Sequence, residues 1–266
     1  LLILGGNPAY DAPSDLAFDE LLGDVETTIH LSLYRNETSK LCTWHLPRAH
    51  YLESWGDARA YDGTISIVQP LIEPLYGGKT PAEVLAFVLN EEPFSAYKIV
   101  RQNFATYAGS QDFESTWRET LHDGLLKGSS WTPQVPAVDE TRIKSALGRF
   151  TSEYQLAKRG EYELVLAQSH FIYDGRFANN GWLQELPDPI TKLVWDNALL
   201  ISPETARLFQ FKDGDIAHLN ANGKTLTVPV FVLPGHASSA LTLSLGYGRK
   251  DAGRIGTGVG VNAYAL

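Results

Sequence analysis

The stretch WHLPRAHYLESWGDARAYDG, residues 44–63, gathers His45, His50, Glu53 and Asp57, side chain types that hold metal ions or move protons. Their spacing argues against a metal. His45 and His50 are five positions apart with Pro47 between them, which would set them about 140° apart around a helix. On a strand an odd separation sends two side chains to opposite faces. Only His50 with Glu53, or Glu53 with Asp57, could share a helical face, and there is no HExxH motif. The stretch reads instead as a polar wall in which His50, Glu53, Asp57 and Arg59 hydrogen-bond among themselves, with Trp44 and Trp55 packed behind. No metal ligands are assigned.

Three other stretches carry usable chemistry. GGNPAYDAP follows an apolar run, and a glycine loop at the carboxyl end of a buried strand is where open α/β sheets bind ligands. It is neither GxGxxG nor a P-loop, and the alternative is a tight turn in which Gly5 and Gly6 supply permissive dihedrals. GYGRKDAGRIGTGVG sets Arg249 and Arg254 among glycines, so guanidinium groups and backbone amides could converge on an anion. An extended segment lying on a neighbouring domain is the other reading. HFIYDGRFANNGWLQELPDP holds His170, Arg176, Asn179, Asn180, Trp182 and Gln184 without regular period, either a functional loop or an interdomain contact. With no GxSxG elbow, no catalytic residue is assigned. Asn36-Glu37-Thr38 fits a glycosylation sequon.

The elements that would position these residues are legible from pattern. LLILGG reads as a buried parallel strand, Ser14 to Leu22 as a helix with an N-cap serine, and TTIHLSLY as a second strand. Thr80, Pro81 and Glu83 make a capping box ahead of Val84, Leu85, Val88 and Leu89. Helical periods follow in DFESTWRETLHDGLL and VDETRIKSALGRF. From about residue 160 short strands take over, with a short helix begun at Ser202-Pro203 and a hairpin turning on Asn222-Gly223. The economical reading of this second half is a β-barrel.

Composition sets the limits. The chain has 266 residues, 44% of them hydrophobic, enough for one large or two ordinary domains. A net charge of −9 disfavours nucleic acid, whose affinity rests on lysine and arginine displacing counterions. Cys42 is the single cysteine, so the chain alone builds no disulfide, thiolate zinc site or four-cysteine cluster. No apolar run reaches the roughly 20 residues that span a bilayer. The absence of methionine and a start inside a strand suggest a fragment.

Taken together, LLILGGNPAYDAP, YRNETSKLCTWHLPRAHYLESWGDARAYDGTISIVQPLIEPLYGG and FANNGWLQELPDPITKLVWDN resemble the molybdopterin-oxidoreductase-like half of the iron–sulfur subunit of bacterial alternative complex III, a quinol:cytochrome c oxidoreductase. The resemblance covers nearly all of residues 1–90 and 170–266, and is weak between them. In the wider molybdopterin superfamily, a G-x-NP-type loop, an ET dipeptide and an LP with a glutamate and glycine downstream form part of the cofactor-binding layer; here they fall on Gly6-Asn7-Pro8, Glu37-Thr38, Leu46-Pro47 and Glu53 with Gly56. The superfamily usually continues ET into an alanine-rich ADVVLP stretch, where this chain has the bulkier SKLCTWHLP.

The resemblance implies an α/β fold: a Rossmann-like parallel-sheet domain with a helical extension over 1–155, then a double-psi β-barrel over 156–266. It implies a scaffold that has lost pterin and metal, with Gly6, Asn7, Glu37, Thr38, His170, Arg176, Asn179 and Asn180 as vestigial pterin-site positions and Trp44, His45, His50 and Trp55 filling the old cleft. Iron–sulfur clusters would sit in a further half of the polypeptide. The partners would be that half and other subunits of a membrane-bound respiratory complex, with this part peripheral on the periplasmic side of the bacterial cytoplasmic membrane. The alternative is a fragment of a genuine molybdopterin-dependent oxidoreductase that binds the pterin dinucleotide between its two domains, with Asn7, Arg176 and Asn179 free to hold it. A third class, a sugar- or peptide-binding module, requires Trp44, Trp55, Trp182 and Trp195 exposed along one groove.

Overall fold

The computed structural model describes residues 1–90, 93–109, 112–153 and 161–266. It is an α/β protein whose chain interleaves between two compact units. The first comprises Leu1–Gly6, Glu26–Arg35 and Cys42–Val138; the second comprises Asn7–Val25, Asn36–Leu41 and Asp139–Leu266. The boundary expected at residue 155 lies outside the described residues.

In the first unit the two expected strands, β1 (Leu2–Ile3) and β2 (Ile29–Ser32), form a parallel sheet with a third that the pattern does not announce, β3 (Trp44–Pro47), in the order β1-β2-β3. Register pairs Leu2 with Ile29, Ile29 with Trp44 and His30 with His45. Pro47 closes an edge strand, where its missing N–H leaves no ladder bond broken. The antiparallel hairpin β4 (Gly56–Arg59) and β5 (Ile65–Val68) follows. Alternation buries Ile65 and Ile67 on one face of β5. Ile67 packs with Val100 and Phe104 of the helix Ala96–Ala108 and with Trp117 of the helix Phe113–Asp123.

The helix Pro81–Asn90 starts as its sequence requires. The Glu83 N–H donates to Thr80 Oγ1 at 3.1 Å, and the Thr80 N–H donates to Glu83 Oε2 at 2.9 Å. Its apolar face is only partly covered, with Leu85, Val88 and Leu89 exposed.

The second unit is built on a five-stranded mixed sheet, β6 (Glu163–Ala167), β7 (Leu199–Ile201), β8 (Ile216–Ala221), β9 (Lys224–Val232) and β10 (Ala240–Ser244), ordered β6-β10-β7-β9-β8. β6 with β10 and β7 with β9 are parallel; β10 with β7 and β8 with β9 are antiparallel. The β8–β9 turn falls on Asn222 (φ 50°) and Gly223 (φ 80°), the two positive dihedrals of a type I′ turn. Leu199, Ile201, Val228, Val230 and Leu243 form the core of this unit. The helix Pro203–Phe209 is capped by Ser202 Oγ, which accepts from the Thr205 N–H at 3.0 Å.

One expected helix is divided. Ser14–Leu16 is a 3₁₀ turn and Phe18–Gly23 a separate α-helix, because Ala17 between them takes φ 44° and ends the first ladder. Among the described residues no helix is long and apolar enough to cross a membrane.

Candidate functional site

The polar side chains singled out in the sequence converge most tightly in the second unit, around Glu37. The short helix Glu37–Leu41 presents Glu37 and Thr38 from its first turn, and Asn7 immediately precedes the helix Pro8–Asp11. Asn7 Nδ2 donates to Glu37 Oε2 at 2.7 Å; the Thr38 N–H and Oγ1–H donate to Asn7 Oδ1 at 3.1 and 2.8 Å. Arg249 supplies the opposing charge, with Nε 2.9 Å from Glu37 Oε1 and Nη2 2.7 Å from Oε2. The N–H groups of Lys250 and Asp251 add bonds of 2.8 and 3.0 Å to Oε1. The anion expected opposite Arg249 is therefore the chain's own Glu37 carboxylate. Arg254 is exposed and does not join it.

The Glu37 and Arg249 side chains are 10% and 7% exposed, so the pair is shielded from screening. Burial would push the Glu37 carboxyl up; the Arg249 hydrogen bonds, the Asp251 amide and the Asn7 amide outweigh it and hold the pKa at about 2. Glu37 stays ionised at neutral pH, so this cluster stores charge and does not shuttle protons. Tyr10 completes it: its phenol donates to the Tyr247 carbonyl at 2.6 Å and its ring lies 4.8 Å from the Arg249 guanidinium. Burial pushes that phenol's pKa up, against the lowering effect of Arg249.

The remaining expected positions have other employment. Gly6 belongs to the first unit, where Gly5 and Gly6 take φ 108° and 78°, the permissive-turn reading of that loop. Arg176 is bound to Asp174, with Nη2 2.7 Å from Oδ2, and lies 5.1 Å from the Tyr173 ring. Asn179 Oδ1 accepts from the Ile255 N–H at 3.2 Å. Asn180 caps the helix Gly181–Glu185, accepting from the Trp182 N–H at 3.1 Å. His170 is exposed. Asn36 is buried, with Oδ1 accepting from the Ser39 N–H at 3.0 Å, so the sequon is not accessible in the folded chain.

The wall over residues 44–63, in the first unit, does not form as a single network. Glu53 accepts from the backbone N–H of His50 at 3.1 Å, but Asp57 pairs with Asn103, and Arg59 bonds the Gly63 carbonyl and stacks 3.7 Å from the Trp131 ring. Trp44 is 61% exposed, so it is not packed behind the wall as expected. Trp55 is committed to an aromatic cluster, 4.9 Å from Tyr97 and 6.2 Å from Trp117. His45 stands against His30, ring centroids 6.3 Å apart. Trp44 and Trp55 belong to the first unit, Trp182 and Trp195 to the second; Trp182 is exposed, whereas Trp195 donates to Glu185. Trp55 and Trp195 are partly buried, so the four tryptophans are not all exposed as a binding groove requires. Among the described residues no group of three or more histidines, cysteines and acids is arranged for a metal ion.

No protein-family model matches this chain, and no curated protein matches it. Among solved structures it is similar to acetylene hydratase from Pelobacter acetylenicus, with a TM-score of 0.69 and 15% identity. The match covers 100% of this chain and 40% of that one, so the chain spans less than half the length of that enzyme. The likeness shows that the chain shares the fold of the matching part of that enzyme. Asn7, Arg176 and Asn179, three of the positions expected to hold a pterin, are each bonded within their own unit.

Proposed function

We propose that this chain is a non-catalytic molybdopterin-oxidoreductase-like scaffold module of an iron–sulfur electron-transfer subunit of the alternative complex III kind, supporting electron flow from quinol to cytochrome c. The fold it shares with acetylene hydratase supports the coarser part of that reading. The absence of a pterin is supported by one observation, that Asn7, a side chain such a cofactor would use, is spent on internal bonds; the electron-transfer part rests on the sequence resemblance. A buried polar group with all its partners inside the protein has little to offer a ligand.

On this reading residues 1–155 are the remnant α/β domain with its helical extension, and 156–266 a double-psi β-barrel whose strands include β6 to β10. Gly6, Asn7, Glu37, Thr38, His170, Arg176, Asn179 and Asn180 are vestigial pterin-site positions. The clusters belong to a further half of the polypeptide, and the partners are that half and other subunits on the periplasmic side of a respiratory membrane.

Metal analysis and ultraviolet–visible spectra of the full-length protein test the proposal. Iron with iron–sulfur absorption, and neither molybdenum nor tungsten, is the expected result. Stoichiometric molybdenum or tungsten would sink the scaffold reading and favour a pterin-binding oxidoreductase.

A further inference from the structure

The donors around Glu37 are held in place by contacts that do not involve Glu37. Arg249 Nη1 donates to the Gly175 carbonyl at 2.6 Å, Nη2 donates to the Asp251 carbonyl at 3.2 Å, and the guanidinium rests over Tyr10. Asn7 is fixed by Thr38, whose N–H and hydroxyl both donate to Oδ1. The N–H groups of Lys250 and Asp251 are consecutive backbone donors aimed at one oxygen, an arrangement that binds anions elsewhere. Both oxygens of a planar carboxylate are thus met: Oε1 by Lys250 N and Asp251 N, Oε2 by Arg249 Nη2 and Asn7 Nδ2, with Arg249 Nε shared between them at 2.9 and 3.1 Å.

We infer that Arg249, Lys250 and Asp251, with Asn7, form a carboxylate receptor whose resident ligand is Glu37, and that removing the Glu37 side chain turns it into a binding site for an exogenous small carboxylate. The guanidinium fork matches the spacing of two oxygens in one plane. Acetate replaces the atoms that Glu37→Ala deletes, from Cγ outward. Inorganic phosphate presents further oxygens for which the arrangement has no donor, so it binds more weakly than acetate or formate. The inference stands independently of the proposed scaffold role.

Thermal unfolding of the protein in acetate, formate, phosphate and chloride at matched ionic strength tests it. Wild type shows no anion preference. Glu37→Ala shows a saturable rise in Tm of about 5 °C in acetate or formate over chloride. Glu37→Gln, whose side chain still fills the space, shows none, and Glu37→Ala combined with Arg249→Met loses the response. If Glu37→Ala does not fold unaided, the readout is refolding yield, and recovery in acetate but not chloride supports the receptor. Equal behaviour of Glu37→Ala in acetate and chloride, an undiminished response after Arg249→Met, or a phosphate response exceeding acetate would overturn it.

Discussion

Arg249 and Glu37, 212 residues apart in the chain, meet as a buried fork-to-carboxylate pair with Nη2 2.7 Å from Oε2. Removing one member leaves the other charged and uncompensated, a loss of about 3–5 kcal/mol for buried pairs. Arg249→Met should therefore lower the urea midpoint strongly, and Glu37→Gln, which keeps an acceptor, should lower it less. The pH dependence follows from the depressed carboxyl. Its stabilisation is complete above the unfolded-state value of about 4.3 and is lost as pH falls through the folded value of about 2. Stability measured from pH 5 downward should fall more gently in Arg249→Met than in wild type; parallel curves would mean that Glu37 is not the titrating group.

The capping box at the start of the helix Pro81–Asn90 gives a local test. Thr80 is 8% exposed, and its hydroxyl donates to Glu83 Oε2 at 3.1 Å and accepts from the Glu83 N–H. Thr80→Ala removes both bonds and should cost about 1 kcal/mol. Hydrogen exchange should quicken first at the amides of Ala82 to Val84. Unchanged protection there would show that tertiary contacts, not the cap, set this helix end.

The features read correctly from sequence are those whose cause is local. Thr80-Pro81-x-Glu83 and Asn222-Gly223 fix a helix start and a hairpin turn through partners within four residues, and both formed. Two of the three parallel strands, β1 and β2, follow from pattern in the same way, whereas β3 lies in the stretch read as a polar wall. In sequence the Arg249 loop is open between an anion site and an extended segment, and nothing in its spacing names Glu37 as the anion. Proximity in the polar wall misled for a converse reason: Asp57 and Arg59 fall on β4, whose partners are Asn103, Gly63 and Trp131, while Glu53 turns back to its own loop. Ala17 broke the Ser14–Leu22 helix by adopting a left-handed dihedral that no residue type there announced.

Two glycines separate dihedral strain from steric exclusion. Gly223 takes φ 80° with open space where a Cβ would sit. Gly248 takes φ 69°, but its Cβ would lie 2.2 Å from the backbone nitrogen of Asn262. Gly223→Ala should cost about 1 kcal/mol, the dihedral penalty alone. Gly248→Ala must also displace backbone and should cost clearly more, about 3 kcal/mol or beyond. Equal losses in chemical denaturation would mean that the chain near Asn262 yields freely.

His30 and His45 predict a second pH dependence, in the first unit and nearer neutrality. His30 is fully buried and bonded to the backbone at Gly5 and Gly6. Desolvation holds its pKa below the ordinary histidine value, with the His45 charge adding to the effect. His45 is lowered by desolvation and then by Arg35, and its buried Nδ1 has no hydrogen-bond partner among the described residues. A lowered folded pKa means that the unfolded chain takes up protons first as pH falls below about 6.5. Stability should therefore decline between pH 6.5 and the lower folded values, and should be flat above that window as far as these two groups are concerned. His30→Gln removes one titrating ring and should flatten part of the decline, while lowering stability throughout by unsettling the Gly5-Gly6 turn. Imidazole proton shifts followed by NMR provide the direct check, since ordinary titration midpoints for both rings would refute the burial argument.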